Sequence, residues 1–276
     1  MSIQGTTQMG RAQGERVERS AGFEWLARAG LAARGVVYAV IGVLALKLAL
    51  GDGGKTTDQQ GALNTIAQQP FGKVLLILMA IGLFGYALWR LIRAAVGHGA
   101  EGDRDDTKER LSGLASGLAY ALLCVTAVQI LIGSGGGGGS GQDKATGGVL
   151  DWPLGRYLVI AAGLVLIGVA VDQGIKGIKK KFLEKSHTER MSEKVKKTFT
   201  AAGVFGHLAR MVIFALMGYF LIKAAIDYDP DKAVGIDGAL AKLGDSSFGP
   251  IVLGAVAVGL IGFALFSAMD ARYRRV

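Results

Sequence analysis

Four charged residues stand in stretches that are otherwise apolar: Arg34, Arg210, Asp172 and Asp270. An ionised group at membrane depth is costly unless it is paired, so such residues either tie helices together or mark the path of a solute. Arg34 and Arg210 occupy equivalent positions, 176 residues apart, and His207 precedes Arg210 by one helical turn. Asp172 is the one carboxylate well inside an apolar run, with Lys176 four residues on to satisfy it locally. Asp270 closes the last apolar run at similar depth. The expectation is that Arg34 and Arg210 meet Asp172 and Asp270 in an intramembrane ion-pair network. Its plain role is to hold helices in register, and its sharper one is a gate in a small carrier or channel. Lys47, Lys223, Arg90 and Arg93 lie near the ends of apolar runs and are expected to snorkel.

Other candidate chemistry is weaker. Ala49 to Thr56 satisfies a permissive phosphate-loop pattern ending Gly54-Lys55-Thr56, but that chemistry needs a strand feeding the loop and a helix N-terminus receiving the phosphates. Here an apolar run precedes it and polar Asp58-Gln59-Gln60 follows. His98, His187 and His207 show no metal-ligand spacing, Cys124 lies among apolar neighbours, and no Ser/His/Asp set is suggested. The expectation is a protein that is not an enzyme, with no catalytic residues, no cofactor and no metal.

The elements that must position these residues follow from composition. The 276 residues are 51% hydrophobic with a mean hydropathy of +0.39, yet carry a net charge of +9. Both hold only if apolar and charged residues are segregated along the chain, as in a multi-span membrane protein. The 43 Gly show no three-residue period and there is a single Cys, which excludes collagen-like and disulfide-framework classes. A spanning helix needs about 20 mostly apolar residues. Six runs qualify, at about 29–50, 71–92, 111–132, 155–177, 199–226 and 249–269, and their continuity argues for helices over a β-barrel. The first run is too long for the apolar core of a cleavable signal peptide, which favours an uncleaved anchor.

Lys and Arg give the orientation. Nineteen of the 31 fall in the two tails and the loops 98–110 and 176–198, against six in the opposite loops. Both termini are therefore expected in the cytoplasm. The Gly135 to Gly139 run, flanked by serines, reads as a flexible external linker.

The chain also repeats itself. Gly30-Leu-Ala-Ala-Arg34-Gly-Val-Val-Tyr38 returns as Gly206-His-Leu-Ala-Arg210-Met-Val-Ile-Phe214, and more weakly as Ser116-Gly117-Leu-Ala-Tyr120. Gly61-Ala-Leu ahead of Phe71-Gly72 returns as Gly238-Ala-Leu ahead of Phe248-Gly249, while Gly72 and Gly85 match Gly155 and Gly168, and Gly249 and Gly262. Gly85, Gly168 and Gly262 are expected to serve close helix packing. The organisation expected is a tail at 1–24, repeat one at 25–97, repeat two at 108–182, a basic linker at 183–197 and repeat three at 198–276. Each repeat goes out and returns, so the fold expected is all-α: six transmembrane helices as three parallel two-helix repeats around a pseudo-threefold axis.

The pattern Trp25-Leu-Ala-Arg28-Ala-Gly30-Leu-Ala-Ala-Arg34-Gly35-Val-Val-Tyr38, followed by Gly61-Ala-Leu and Gln69-Pro70-Phe71-Gly72, resembles the bacterial membrane family called domain of unknown function 1206. The resemblance covers roughly residues 22–275 in three copies, and the second departs from it with Ser116 in place of the Arg. It implies tandem two-helix repeats and location in a bacterial plasma membrane, with no activity attached.

One cytoplasmic loop is strongly basic: Lys176, Lys179, Lys180, Lys181, Lys185, Arg190, Lys194, Lys196 and Lys197 outnumber Glu184, Glu189 and Glu193. Such clusters attract anionic headgroups, at about 1 kcal/mol per residue near the surface. Lys179, Lys180, Lys181 and Lys185 are the candidate lipid contacts, and part of the loop reads as a helix lying on the membrane. No recognition motif or interleaved aromatics point to nucleic acid. The function expected is a structural or accessory membrane protein contacting anionic lipid or a membrane protein partner. A small-solute or ion transporter or channel with a cytoplasmic Arg/Asp network is the alternative.

Overall fold

The computed structural model describes residues 21–52, 54–96, 107–133 and 141–274. The tail 1–20, the Gly135 to Gly139 run and most of the loop 98–110 lie outside the described residues, as does the Arg93 side chain. Among the described residues there are nine α-helices and no β-strand: α1 (Ala21–Ala49), α2 (Gln59–Ala67), α3 (Gly72–Val96), α4 (Thr107–Leu131), α5 (Gly141–Leu150), α6 (Gly155–Ile178), α7 (Glu193–Asp227), α8 (Ile236–Gly244) and α9 (Gly249–Tyr273). Six of them hold stretches long and apolar enough to cross a membrane: Ala27–Ala49, Gly72–Ile92, Gly113–Leu131, Gly155–Ile178, Glu193–Asp227 and Gly249–Tyr273. The protein is a multi-pass membrane protein built of three tandem repeats. Large apolar side chains point outward along these helices, as Leu111, Leu114, Leu118, Leu122 and Val125 do along α4 at the spacing of one helix face.

Each repeat contains a short helix between its two long ones, where the sequence suggested only a loop. The repeated Gly-Ala-Leu marks it, since Ala62 and Leu63 of α2, and Ala239 and Leu240 of α8, are completely buried. Asp58 caps α2 by accepting a hydrogen bond from the Gly61 N–H at 2.7 Å. The chain then turns abruptly into the next long helix. Phe71 and Leu154 take left-handed conformations there, with φ of 62° and 67°. The glycines that follow have no room for a side chain: a Cβ on Gly72 would collide with the Ile66 carbonyl, on Gly155 with that of Val149, and on Gly249 with that of Gly244. Phe71, Leu154 and Phe248 are more than two-thirds exposed at the heads of these spans.

The structure falls into two compact units, with boundaries inside α1, α2 and α9. One comprises Met1–Arg34, Ile66–Gly136 and Asp270–Val276. In it Gly30 abuts Tyr86 and the Gly82 carbonyl, so α1 and α3 approach backbone to backbone, and Gly117 of α4 admits Leu91 of α3. Arg110 donates to the Ala94 and Ala95 carbonyls at 3.0 and 2.8 Å, capping the end of α3.

The other unit comprises Gly35–Thr65 and Gly137–Met269. Gly163 and Gly218 face each other's carbonyls across α6 and α7, and Gly206 of α7 packs on the backbone of Phe263 in α9. Phe182, Phe199, His207, Phe263 and Phe266 form an aromatic core, with ring centres 5.0 to 5.8 Å apart. Of the three glycines expected to pack closely, Gly262 makes only ordinary contact with Ala202, and Gly168 has open space where a side chain would be. Close helix crossings use Gly30, Gly82, Gly163, Gly206 and Gly259 instead.

Candidate functional site

In the first unit, charge collects at the end of α9. Asp270 is 1% exposed, and its Oδ2 lies 3.7 Å from Arg34 Nη2 and 3.2 Å from Arg274 Nη1, one turn further along α9. Arg34 also donates to the Tyr86 hydroxyl at 3.5 Å, with its guanidinium 5.8 Å from the ring centre. Arg90 does not snorkel as its place near the end of a span suggested. It turns onto Tyr86 and Trp89, 5.8 and 5.7 Å from their centres, and donates to Ser116 Oγ at 3.3 Å. Arg274 lies 5.9 Å from the Trp89 ring. Tyr86 and Tyr120 meet edge to face at 4.6 Å. Arg28 donates to the Arg272 carbonyl at 2.9 Å, so α1 also holds the last turn of α9.

Arg210 belongs to the second unit and has rings where the sequence suggested a carboxylate. Its guanidinium is 4.5 Å from the centre of Phe263, 5.2 Å from Phe214 and 5.5 Å from Tyr38. Ring faces carry negative charge density and can hold a cation where water is scarce. His207 is buried, stacked on Phe182 at 5.2 Å, with its Nδ1 2.7 Å from the Gly203 carbonyl oxygen. Asp172 pairs along its own helix with Lys176, at 2.5 Å. The expected four-residue network therefore divides. Arg34 meets Asp270, whereas Arg210 and Asp172 each have other partners, because aromatic faces surround the first and a lysine one turn away reaches the second.

The two arginines nonetheless share one motif. Gly30 with Arg34 on α1 meets Tyr86 on α3, and Gly206 with Arg210 on α7 meets Phe263 on α9. Glycine lets the aromatic residue's backbone come close, and the arginine one turn later lays its guanidinium on the ring. Repeat two carries Ser116 at the arginine position, and that hydroxyl accepts the hydrogen bond from Arg90.

The lysines of the basic loop stand at the junction of α6 and α7. Lys179, Lys180 and Lys181 are exposed and Lys185 is half-buried. The loop forms two single-turn helices, Lys181–Leu183 and Thr188–Arg190, before Ser192 caps α7 by accepting from the Val195 N–H at 3.4 Å. Lys194, Lys196 and Lys197 thus lie in the first turns of the 35-residue helix α7. At about 1.5 Å per residue such a helix exceeds the hydrocarbon thickness, which leaves its basic start at headgroup level. Lys180, in a left-handed conformation with φ 53°, Lys196, Lys197 and Thr200 line a shallow hollow of about 480 Å³, with Glu193 beside them and Ala201, Val204 and Phe205 as its apolar part.

The phosphate-loop pattern trails from the C-terminal end of α1, with α2 beginning at Gln59, and no strand feeds it. Cys124 donates its thiol to the Ala80 carbonyl at 3.4 Å, an ordinary contact between α3 and α4.

A family model described as Domain of Unknown Function (DUF1206) matches the chain three times, over residues 29–97, 111–180 and 205–274. The chain belongs to the DUF1206 family. It is similar to a Bacillus subtilis (strain 168) relative named "Uncharacterized protein YxxB", 34% identical over 252 residues, which is 90% of each chain. No solved structure matches it. Each DUF1206 match takes in the body of an odd-numbered span and the whole of the even-numbered one that follows. The third DUF1206 repeat ends on Arg274 and the second on Lys180, so both basic clusters lie at repeat ends.

Proposed function

We propose that this DUF1206 protein is a non-catalytic accessory protein of the bacterial plasma membrane, its termini cytoplasmic, that engages anionic lipid through the α6–α7 junction. The hollow between Lys180, Lys196 and Lys197 carries this reading, because it sets cationic groups above an apolar strip of Ala201, Val204 and Phe205. A phospholipid with a negative headgroup presents the complement: charge above, hydrocarbon below. Exposed Lys179 and Lys181, with half-buried Lys185, extend the basic surface along the same loop. The glycine-tight crossings inside each unit support a rigid scaffold over a solute path. The excess of Lys and Arg at the ends of the spans that carry the termini supports the orientation.

Reconstitution in nanodiscs tests the reading. The protein is expected to melt at a higher temperature in phosphatidylglycerol than in phosphatidylcholine, and K180Q/K196Q/K197Q is expected to abolish that difference. Equal melting in both lipids would overturn it. Reporter fusions after Asp58 and after Ser186 test the orientation, with external activity expected at the first and cytoplasmic activity at the second.

A further inference from the structure

Phe71, Leu154 and Phe248 each stand at the N-cap of an even-numbered span. Their carbonyls accept from the N–H groups of Leu75, Leu158 and Val252, four residues on, at 3.1, 3.2 and 3.1 Å. That position favours Ser, Thr, Asp or Asn, whose side chains accept from the first free N–H groups of the helix, and apolar residues rank last there. Phe71 and Leu154 also hold left-handed backbone, which a bulky side chain adopts only at a cost. An unfavourable residue in an unfavourable conformation points to a role outside local structure. Packing within the chain is not that role, since the three side chains are 84%, 71% and 71% exposed. Each instead heads an apolar face. Val74 and Leu75 in α3, Tyr157 and Leu158 in α6, and Ile251 and Val252 in α9 lie three and four residues on, one helical turn away, and all six are exposed. We infer that Phe71, Leu154 and Phe248 are apolar anchors that enter the hydrocarbon of the leaflet opposite the basic α6–α7 loop. Lipid chains are the occupant that suits them, because the face each one heads continues onto the outward side of a span. Trp152, 62% exposed and two residues before Leu154, is the residue type that collects where hydrocarbon meets headgroups. The short helices α2, α5 and α8 each end four residues before an anchor, which draws them to headgroup depth.

Nitroxide labels on the full chain test the inference. In a Cys124→Ala background, reconstituted in nanodiscs of phosphatidylcholine and phosphatidylglycerol, F71C, L154C and F248C are labelled one at a time. Relaxation of each label by oxygen, which concentrates in hydrocarbon, is compared with relaxation by a water-soluble nickel chelate. Leu122→Cys on the exposed face of α4 is the hydrocarbon reference, and Lys55→Cys, exposed between α1 and α2, is the aqueous one. All three labels are expected to give an oxygen-to-nickel ratio nearer to that of Leu122→Cys, several-fold above that of Lys55→Cys. Where a cysteine form fails to fold, the parent chain is labelled by a carbene reagent dissolved in the bilayer, and mass spectrometry should find the mark on Phe71, Leu154 and Phe248. The assignment is overturned if any of the three labels gives a ratio nearer to that of Lys55→Cys, or if the carbene leaves any of the three residues unmarked.

Discussion

Arg210 rests its guanidinium 4.5 Å from the centre of the Phe263 ring, the partnership that Arg34 makes with Tyr86 in the first repeat at 5.8 Å. The same sequence motif thus builds the same local contact twice, each time on a glycine that lets the aromatic residue approach. The Arg210–Phe263 pair should show a coupling energy of roughly 1 kcal/mol in a double-mutant cycle of Arg210→Met and Phe263→Leu. Chemical unfolding in detergent measures it, and strictly additive substitutions would remove the cation–ring contact from the account.

Asp270 and Asp172 should behave differently although both are carboxylates in apolar helices. Asp270 is sealed under two arginines, so D270N leaves buried positive charge without its partner and should cost roughly 3 to 5 kcal/mol. Asp172 is 27% exposed and paired within one helix turn, so D172N should cost about 0.5 kcal/mol or less. Melting curves of the two variants side by side decide this, and equal losses would contradict it.

The glycines divide in the same way. G30A and G206A each place a methyl group against an aromatic residue's own backbone or Cβ and should lower the melting temperature by several degrees, as overpacking costs about 1 to 3 kcal/mol. Gly168 faces open space, so G168A should be neutral or stabilising by up to about 1 kcal/mol through helix propensity.

Asp58 gives the protein a pH dependence outside the spans. Burial pushes its carboxyl above the usual 3.8; the Gly61 N–H opposes the shift and Asp237 adds to it. The folded state therefore binds a proton more tightly than the unfolded one, and this group's contribution to stability falls as pH rises from about 4 through the raised value. D58N keeps a capping side chain and removes the titration. Its melting temperature should exceed that of the parent near neutral pH, with the advantage shrinking toward pH 4. A constant difference across that range would contradict the assignment.

The six spans, the tandem repeats and the meeting of Arg34 with Asp270 were legible in the sequence because apolar length and charge placement report them directly. The short helices α2, α5 and α8 were not, since nine or ten residues of mixed polarity between spans resemble a loop until the Ala-Leu pairs of α2 and α8, and Leu150 of α5, are seen to be buried. Arg210 was misread because formal charge invites a search for an opposite charge, whereas Tyr38, Phe214 and Phe263 supply ring faces that no local spacing reveals. Arg90 was read as snorkelling from its place near a span end. The signal that could have corrected this was Tyr86 one turn before it and Trp89 adjacent to it. The hollow at the α6–α7 junction depends on Lys180 turning left-handed, a conformation that a lysine seldom adopts and sequence does not announce.

The most direct test of the account is the lipid that stays with the protein when it is extracted with its native membrane and then stripped by mild detergent. Mass spectrometry of the parent should find anionic phospholipid enriched over its share of the membrane, and K180Q/K196Q/K197Q should lose most of that enrichment. Retention of lipid in the bulk membrane ratio by the parent, or unchanged enrichment in the triple variant, would contradict the account.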